Sequence, residues 1–218
     1  KVFHSSRHEL GELAWNEYVR FDNDELPVVR AAREAGTPWQ YSVPYGMVVV
    51  NSIDESDLLT NIHDVSNYSY QDGFYDGAEK QYRGFETVEI TSDADEYAES
   101  SRTVSQFNVG VNSPYFNGLL LTQNSYSNDR LIKTVSNTYD ACTLSGIDAG
   151  ALWDAQNPEA NPFGVGHICQ LASEEIIKEG TESAQWKTLR TESLYDGYGN
   201  VTKESNLGDI AVLGDESY

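Results

Sequence analysis

From Gln40 onward the chain alternates between apolar and polar positions. Met47 to Ile53 is a continuous apolar-leaning run of strand length. Thr87 to Thr91 and Thr103 to Val109 alternate with period two. Leu119 to Tyr126 and Leu131 to Tyr139 form a pair around the polar turn Ser127-Asn128-Asp129-Arg130, and Trp186 to Tyr195 and Val201 to Ser205 flank Asp196-Gly197-Tyr198-Gly199-Asn200. Short period-two segments punctuated by turn residues predict antiparallel hairpins and a mainly β fold. Ser173 to Lys178 is compatible with a helical turn or a strand.

The first 36 residues carry a different pattern. Leu10, Leu13, Ala14 and Tyr18 fall at helical spacing, and Val29, Ala32 and Arg33 precede Gly36, a C-cap candidate. Gly11 and Pro27 interrupt that pattern, so one or two short helices or turns are predicted there. The chain thus divides into an N-terminal lead-in, 1–36, and a hairpin-rich segment, 37–218. Within the second lies a predicted long loop, 140–166, containing Gly146, Gly150, Pro158, Pro162, Gly164 and Gly166, with Trp153 and Phe163 as its candidate anchors.

Two phrases recur. FYDGAEKQYRGFETVEI (74–90) and YDGYGNVTKESNLGD (195–209) each join an aromatic, an Asp-Gly turn and a strand-like run. Asp-Gly and Gly-Asn tolerate positive φ where a hairpin reverses, and the preceding Tyr can pack onto the returning strand. Arg83-Gly84-Phe85 predicts a strand in which a side chain at 84 would collide with a neighbour.

Charge narrows the function. The chain has 35 acidic against 14 basic residues, a formal net charge of -21. Such a field repels phosphate backbones and anionic bilayers, so neither nucleic-acid binding nor direct membrane insertion is expected. No apolar run reaches membrane-spanning length. The chain opens at Lys1 in mid-pattern, which reads as a fragment of a larger polypeptide. Fourteen tyrosines suit half-wet sheet faces. Cys142 and Cys169 lack CxxC spacing and no His cluster accompanies them; a disulfide closing 143–168 is open in an oxidising compartment, and two unpaired thiols are the reading favoured here. Asn67-Tyr68-Ser69 and Asn200-Val201-Thr202 match the glycosylation acceptor pattern.

Candidate chemistry is sparse. The acid pairs Asp22/Asp24, Asp93/Asp95 and Glu174/Glu175 are expected by chance in so acidic a chain, and a glycosidase dyad would need two of them in a Trp-lined cleft. Asp22–Glu25 and Asp93–Glu96 lack the Gly and terminal Glu of a calcium loop. His4 and His8 would share a helix face, but without Glu-x-x-His context. Trp15, Trp39, Trp153 and Trp186 are assigned to packing before sugar stacking. No nucleophile elbow, phosphate loop or dinucleotide fingerprint occurs, so no cofactor and no enzymatic activity are expected.

The phrases themselves resemble a known family. YDGYGNVTKESNLGD is similar to a YD repeat of the RHS class. FYDGAEKQYRGFETVEI, AGTPWQYSVPYGMVVVNSIDESD (35–57) and NGLLLTQNSYSNDRLIKTVSNTY (117–139) resemble, in order, segments of the B components of ABC-type insecticidal toxin complexes and related plasmid virulence proteins. The chain departs from a full RHS shell in having one complete YD repeat. The resemblance implies an antiparallel hairpin sheet of the RHS/YD-repeat shell type, secreted or at the cell surface, that encloses and helps deliver a C-terminal effector. It implies structural turn and packing roles for Trp39, Pro44, Tyr75, Asp76, Gly77, Arg83, Gly84, Phe85, Tyr195, Asp196, Gly197, Gly199 and Asn200. Implied partners are neighbouring segments of its own polypeptide, a translocation subunit and the enclosed effector. The rival expectation is an extracellular module that recognises glycans or a cell-surface receptor.

Overall fold

A computed structural model describes residues 2–9, 12–20, 27–41, 43–46, 48–57, 59, 63–94, 98–145, 166–178, 185–212 and 214. Among the described residues eleven strands form one sheet in strict sequence order, each antiparallel to the next. They are β1 (Val2–Glu9), β2 (Glu12–Arg20), β3 (Val48–Asp57), β4 (His63–Asp76), β5 (Gln81–Ser92), β6 (Ser101–Asn108), β7 (Leu119–Ser127), β8 (Arg130–Ala141), β9 (Ile168–Lys178), β10 (Trp186–Tyr195) and β11 (Val201–Asp209). Among the described residues the α-helix is α1 (Pro27–Glu34), between β2 and β3, and a 3-10 turn, Pro114–Phe116, precedes β7.

The N-terminal pattern is corrected. Residues 2–9 and 12–20 are antiparallel strands with Glu9 paired to Glu12, not a helix. The helical spacing of Leu13, Ala14 and Tyr18 is outweighed by cross-strand pairing along β2, which is hydrogen-bonded on both edges; Leu10 lies outside the described residues. Pro27 does not interrupt a helix but begins one, where its missing N–H is no loss. Gly36 ends that helix with φ 81°; its N–H donates to the Arg33 carbonyl (3.1 Å) and the Thr37 N–H to that of Ala32 (2.8 Å), a Schellman closure.

The central strands match the alternation. Asn128 and Asp129, with φ of 47° and 58°, make a primed turn between β7 and β8. Ser173 to Lys178, ambiguous in sequence, belong to the strand β9. β4 carries no clean sequence signal because Asp72 (φ 56°) and Gly73 break its repeat. Of the predicted long loop, residues 146–165 with Trp153 and Phe163 lie outside the described residues.

Gln71, Thr87, Gln106, Thr122, Ser136, Glu174 and Arg190 lie in register across seven strands, a polar row through the middle of the sheet. Thr122 Oγ1 donates to Gln106 Oε1 (2.9 Å), and Arg190 Nη1 meets Glu174 Oε1 at 2.6 Å. Few side chains are buried: among the described residues the buried apolar ones are Val109, Cys142, Cys169 and Ala172. The strands form one sheet, and the described side chains of β3–β11 are mostly half-buried.

Candidate functional site

The first Tyr-Asp-Gly phrase forms the β4–β5 turn. Asp76 Oδ1 accepts the N–H groups of Ala78 (2.9 Å) and Glu79 (3.1 Å), closing the turn through its side chain. Its Oδ2 meets Arg83 Nη2 at 2.9 Å, and Glu79 Oε2 meets the same nitrogen at 2.7 Å. The Arg83 side chain is only 4% exposed. These bonds hold the Asp76 carboxyl below its usual range, the Glu79 N–H first and Arg83 next. The positive φ falls on Lys80 (55°) and Gly84 (106°), not on Gly77. A Cβ at 84 would meet open space, so the predicted collision is corrected: dihedral freedom, not crowding, calls for glycine there.

Phe85 is the hub above this turn. Trp39 stands edge-on at 6.0 Å between ring centroids, Tyr82 at 5.7 Å, and Tyr70 lies tilted at 4.7 Å. Tyr41 packs on Phe74 and Tyr45 on Tyr75, at 5.2 and 5.4 Å. The segment after α1 is therefore pinned to the hairpin by three aromatic contacts, with exposed Pro44 in its bend. Gln40 N–H donates to Asp72 Oδ1. Gly73 admits this cover: a Cβ there would lie 3.0–3.2 Å from Val43, Phe85 and Trp39. Burial raises the Tyr82 phenol well above its usual range and also raises Glu86, with Asp72 adding to the latter.

The second phrase closes β10–β11 by the same device. Asp196 Oδ1 accepts from the N–H of Tyr198 (2.8 Å) and Asn200 (2.9 Å), and Oδ2 accepts from Asn200 Nδ2 (3.1 Å). The Asp196 carboxyl is lowered, chiefly by Asn200. Tyr195 Oη donates to the Gln170 carbonyl (2.9 Å). Gly199 has φ 84°, and a Cβ there would come within 2.7 Å of the His167 ring. The Gly197 carbonyl accepts the Ser145 N–H at 2.7 Å.

This second turn sits on a cross-link. Cys142 and Cys169 are disulfide-bonded, with Cα atoms 5.2 Å apart, which corrects the reading of two unpaired thiols. Pairing of Asp140 with Cys169 and Ala141 with Ile168 brings β8 and β9 close enough for bonding, which spacing alone does not reveal. His167 joins the pair: its ring nitrogen and the two Sγ atoms lie within 4.8 Å of one another. No motif in the sequence gives His167 a role; its position two residues before Cys169 is the signal the chain offers.

The named residues thus gather into two clusters, Trp39 to Phe85 and Tyr195 to Asn200, at turns separated in strand order by β6–β9. The other candidates disperse. Glu174 pairs with Arg190 while Glu175 pairs with Lys133 (2.7 Å), so this pair is no dyad. His4 and His8 lie on a strand, which removes the shared helix face. Asp22, Asp24 and the completion of the 93–96 run lie outside the described residues.

The profile of the family described as "Insecticide toxin TcdB middle/N-terminal region" matches residues 2–111, which include the whole first cluster. The chain belongs to this family. The same fold occurs in solved structures. The Photorhabdus luminescens Tc holotoxin pore matches with TM-score 0.68 and 15% identity over 90% of this chain and 11% of that one. The TcdB2-TccC3 crystal structure matches with TM-score 0.69 and 16% identity over 90% and 12%. This chain spans about an eighth or less of those chains. At such identity the likeness is one of fold. No curated protein matches the sequence.

Proposed function

We propose that this chain is a non-enzymatic wall segment of a toxin-complex shell, which encloses an effector carried C-terminal to it and helps deliver it. The observation that carries the reading is the single sheet of eleven strands with, among the described residues, few buried side chains. Open sheets beyond about ten strands curl or split, and one layer with two half-wet faces is completed by what lies against it. Family membership supplies the toxin context. The two Asp-anchored turns and the aromatic cover act as rivets that fix strand ends. Partners are then the adjoining segments of its own polypeptide, a translocation subunit and the cargo, outside the cell that makes it. No described helix is long and apolar enough to cross a membrane.

Electron cryo-microscopy of the parent polypeptide tests this. Residues 48–209 are expected in the wall of a closed hollow body with density inside it. An open sheet presenting both faces to solvent overturns the shell, and specific capture on a glycan array by that open form supports the recognition module instead.

A further inference from the structure

We infer that Cys142, His167 and Cys169 form a redox-gated site for a divalent zinc ion, in which metal and disulfide are alternative fasteners of the β8–β9 junction. The three ligand atoms already lie within 4.8 Å of one another, so a shift of about 1 Å brings them to the ligand–ligand spacing of a tetrahedral site with Zn–S about 2.3 Å and Zn–N about 2.0 Å. Backbone pairing sets this convergence. Cys142 N–H donates to the His167 carbonyl at 3.0 Å, one rung beyond the Ala141–Ile168 pair. His167 immediately precedes β9 and Cys169 is that strand's second residue, so the two lie two residues apart at the junction.

The surroundings hold the histidine without enclosing it. The sulfurs are buried and His167 is exposed, so a cation can enter past the imidazole. The β10–β11 turn lies against that ring at Gly199, and its Gly197 carbonyl ties down Ser145, three residues past Cys142. Two thiolates and an imidazole suit zinc and leave the fourth position to water.

Interconversion balances. Two equivalents of a thiol, or one phosphine with one water, give two electrons to the S–S bond and leave as a disulfide or a phosphine oxide. The two protons of those thiols, or of that water, complete the two cysteine thiols. The cation then displaces those two protons as it takes both sulfurs, with a neutral His167 nitrogen as third ligand. Removing the metal and restoring an oxidant re-forms the disulfide.

The test uses the whole 218-residue chain, oxidised or reduced with a phosphine under anaerobic conditions, titrated with Co2+ and then Zn2+. Reduced protein is expected to bind one Co2+ with thiolate-to-cobalt charge-transfer absorption, which Zn2+ then bleaches; oxidised protein shows none. Cys169→Ser should abolish the band, and His167→Ala should weaken binding at least about tenfold. Reduced protein without the band, or a His167→Ala variant of unchanged affinity, overturns the site. If reduction alone unfolds the chain, Zn2+ must restore its strand circular dichroism; failure to do so overturns it equally.

Discussion

Asp76 and Arg83 meet across the β4–β5 turn with 2.9 Å between Oδ2 and Nη2, and the guanidinium is nearly sealed from solvent. Its Nε makes no hydrogen bond among the described residues, so Asp76 and Glu79 carry its charge from one end. A buried charge held this way is costly to lose on one side only. Arg83→Ala is expected to lower unfolding free energy by about 2 kcal/mol in urea titration, and Arg83→Met by less, because it keeps the packing of the stem. A variant within about 0.5 kcal/mol of wild type would show that the pair is ornamental.

Gly84 and Gly199 share a positive φ but not an environment. Gly84→Ala meets strain alone, and should cost about 1 kcal/mol. Gly199→Ala adds the His167 ring and should cost more, about 2–3 kcal/mol. In the double variant with His167→Ala, part of the Gly199→Ala loss should return. Equal costs at the two glycines, with no rescue, would remove the crowding argument.

Both turn aspartates titrate below the ordinary carboxyl value of 3.8. A lowered folded pKa means stability fully present above the unfolded value and lost as pH falls through the folded one. Urea midpoints should therefore hold steady down to about pH 4 and drop below it. Asp196→Asn should flatten part of this acid limb while lowering stability at neutral pH. An acid limb unchanged in Asp76→Asn and Asp196→Asn would place the titrating groups elsewhere.

Phe85→Ala removes the ring shared by Trp39, Tyr70 and Tyr82. The half-buried site should lose about 2–3 kcal/mol, below the range for a sealed core. Backbone amides of 37–46 should exchange faster while those of β7–β9 do not. Uniform acceleration across the sheet would mean that the cover is not a separately rooted element.

Reduction of Cys142–Cys169 opens a loop of separation 27, and in metal-free buffer should cost about 3 kcal/mol. Thermal unfolding of reduced and oxidised protein, with chelator present, reads this directly; identical midpoints would show that the junction is held by strand pairing alone.

The hairpins from β5 to β8 and from β10 to β11 were legible in the chain because period-two alternation and turn residues are local signals. So was the C-terminal end of α1, where Gly36 acts through its own dihedral; Pro27, read as an interruption, instead begins the helix. β1, β2 and β4 were not. In β1 and β2 a helical spacing competes with a strand that exists only when paired, and in β4 the residues that break the repeat, Asp72 and Gly73, are those the covering segment needs.

The candidate residues divide in the same way. Asp76 and Asp196 could be placed at turns from sequence, since an Asx turn bonds within four residues. What decided their partners was long-range: Phe85 meeting Trp39, His167 meeting Gly199, and Cys142 bonding to Cys169. Local backbone preference is written residue by residue, so the sequence by itself determined a ribbon of antiparallel hairpins. Which turns are riveted, where glycine is obligatory and which sulfurs join depend on strand register and on segments distant in the chain, and those only the tertiary structure decided.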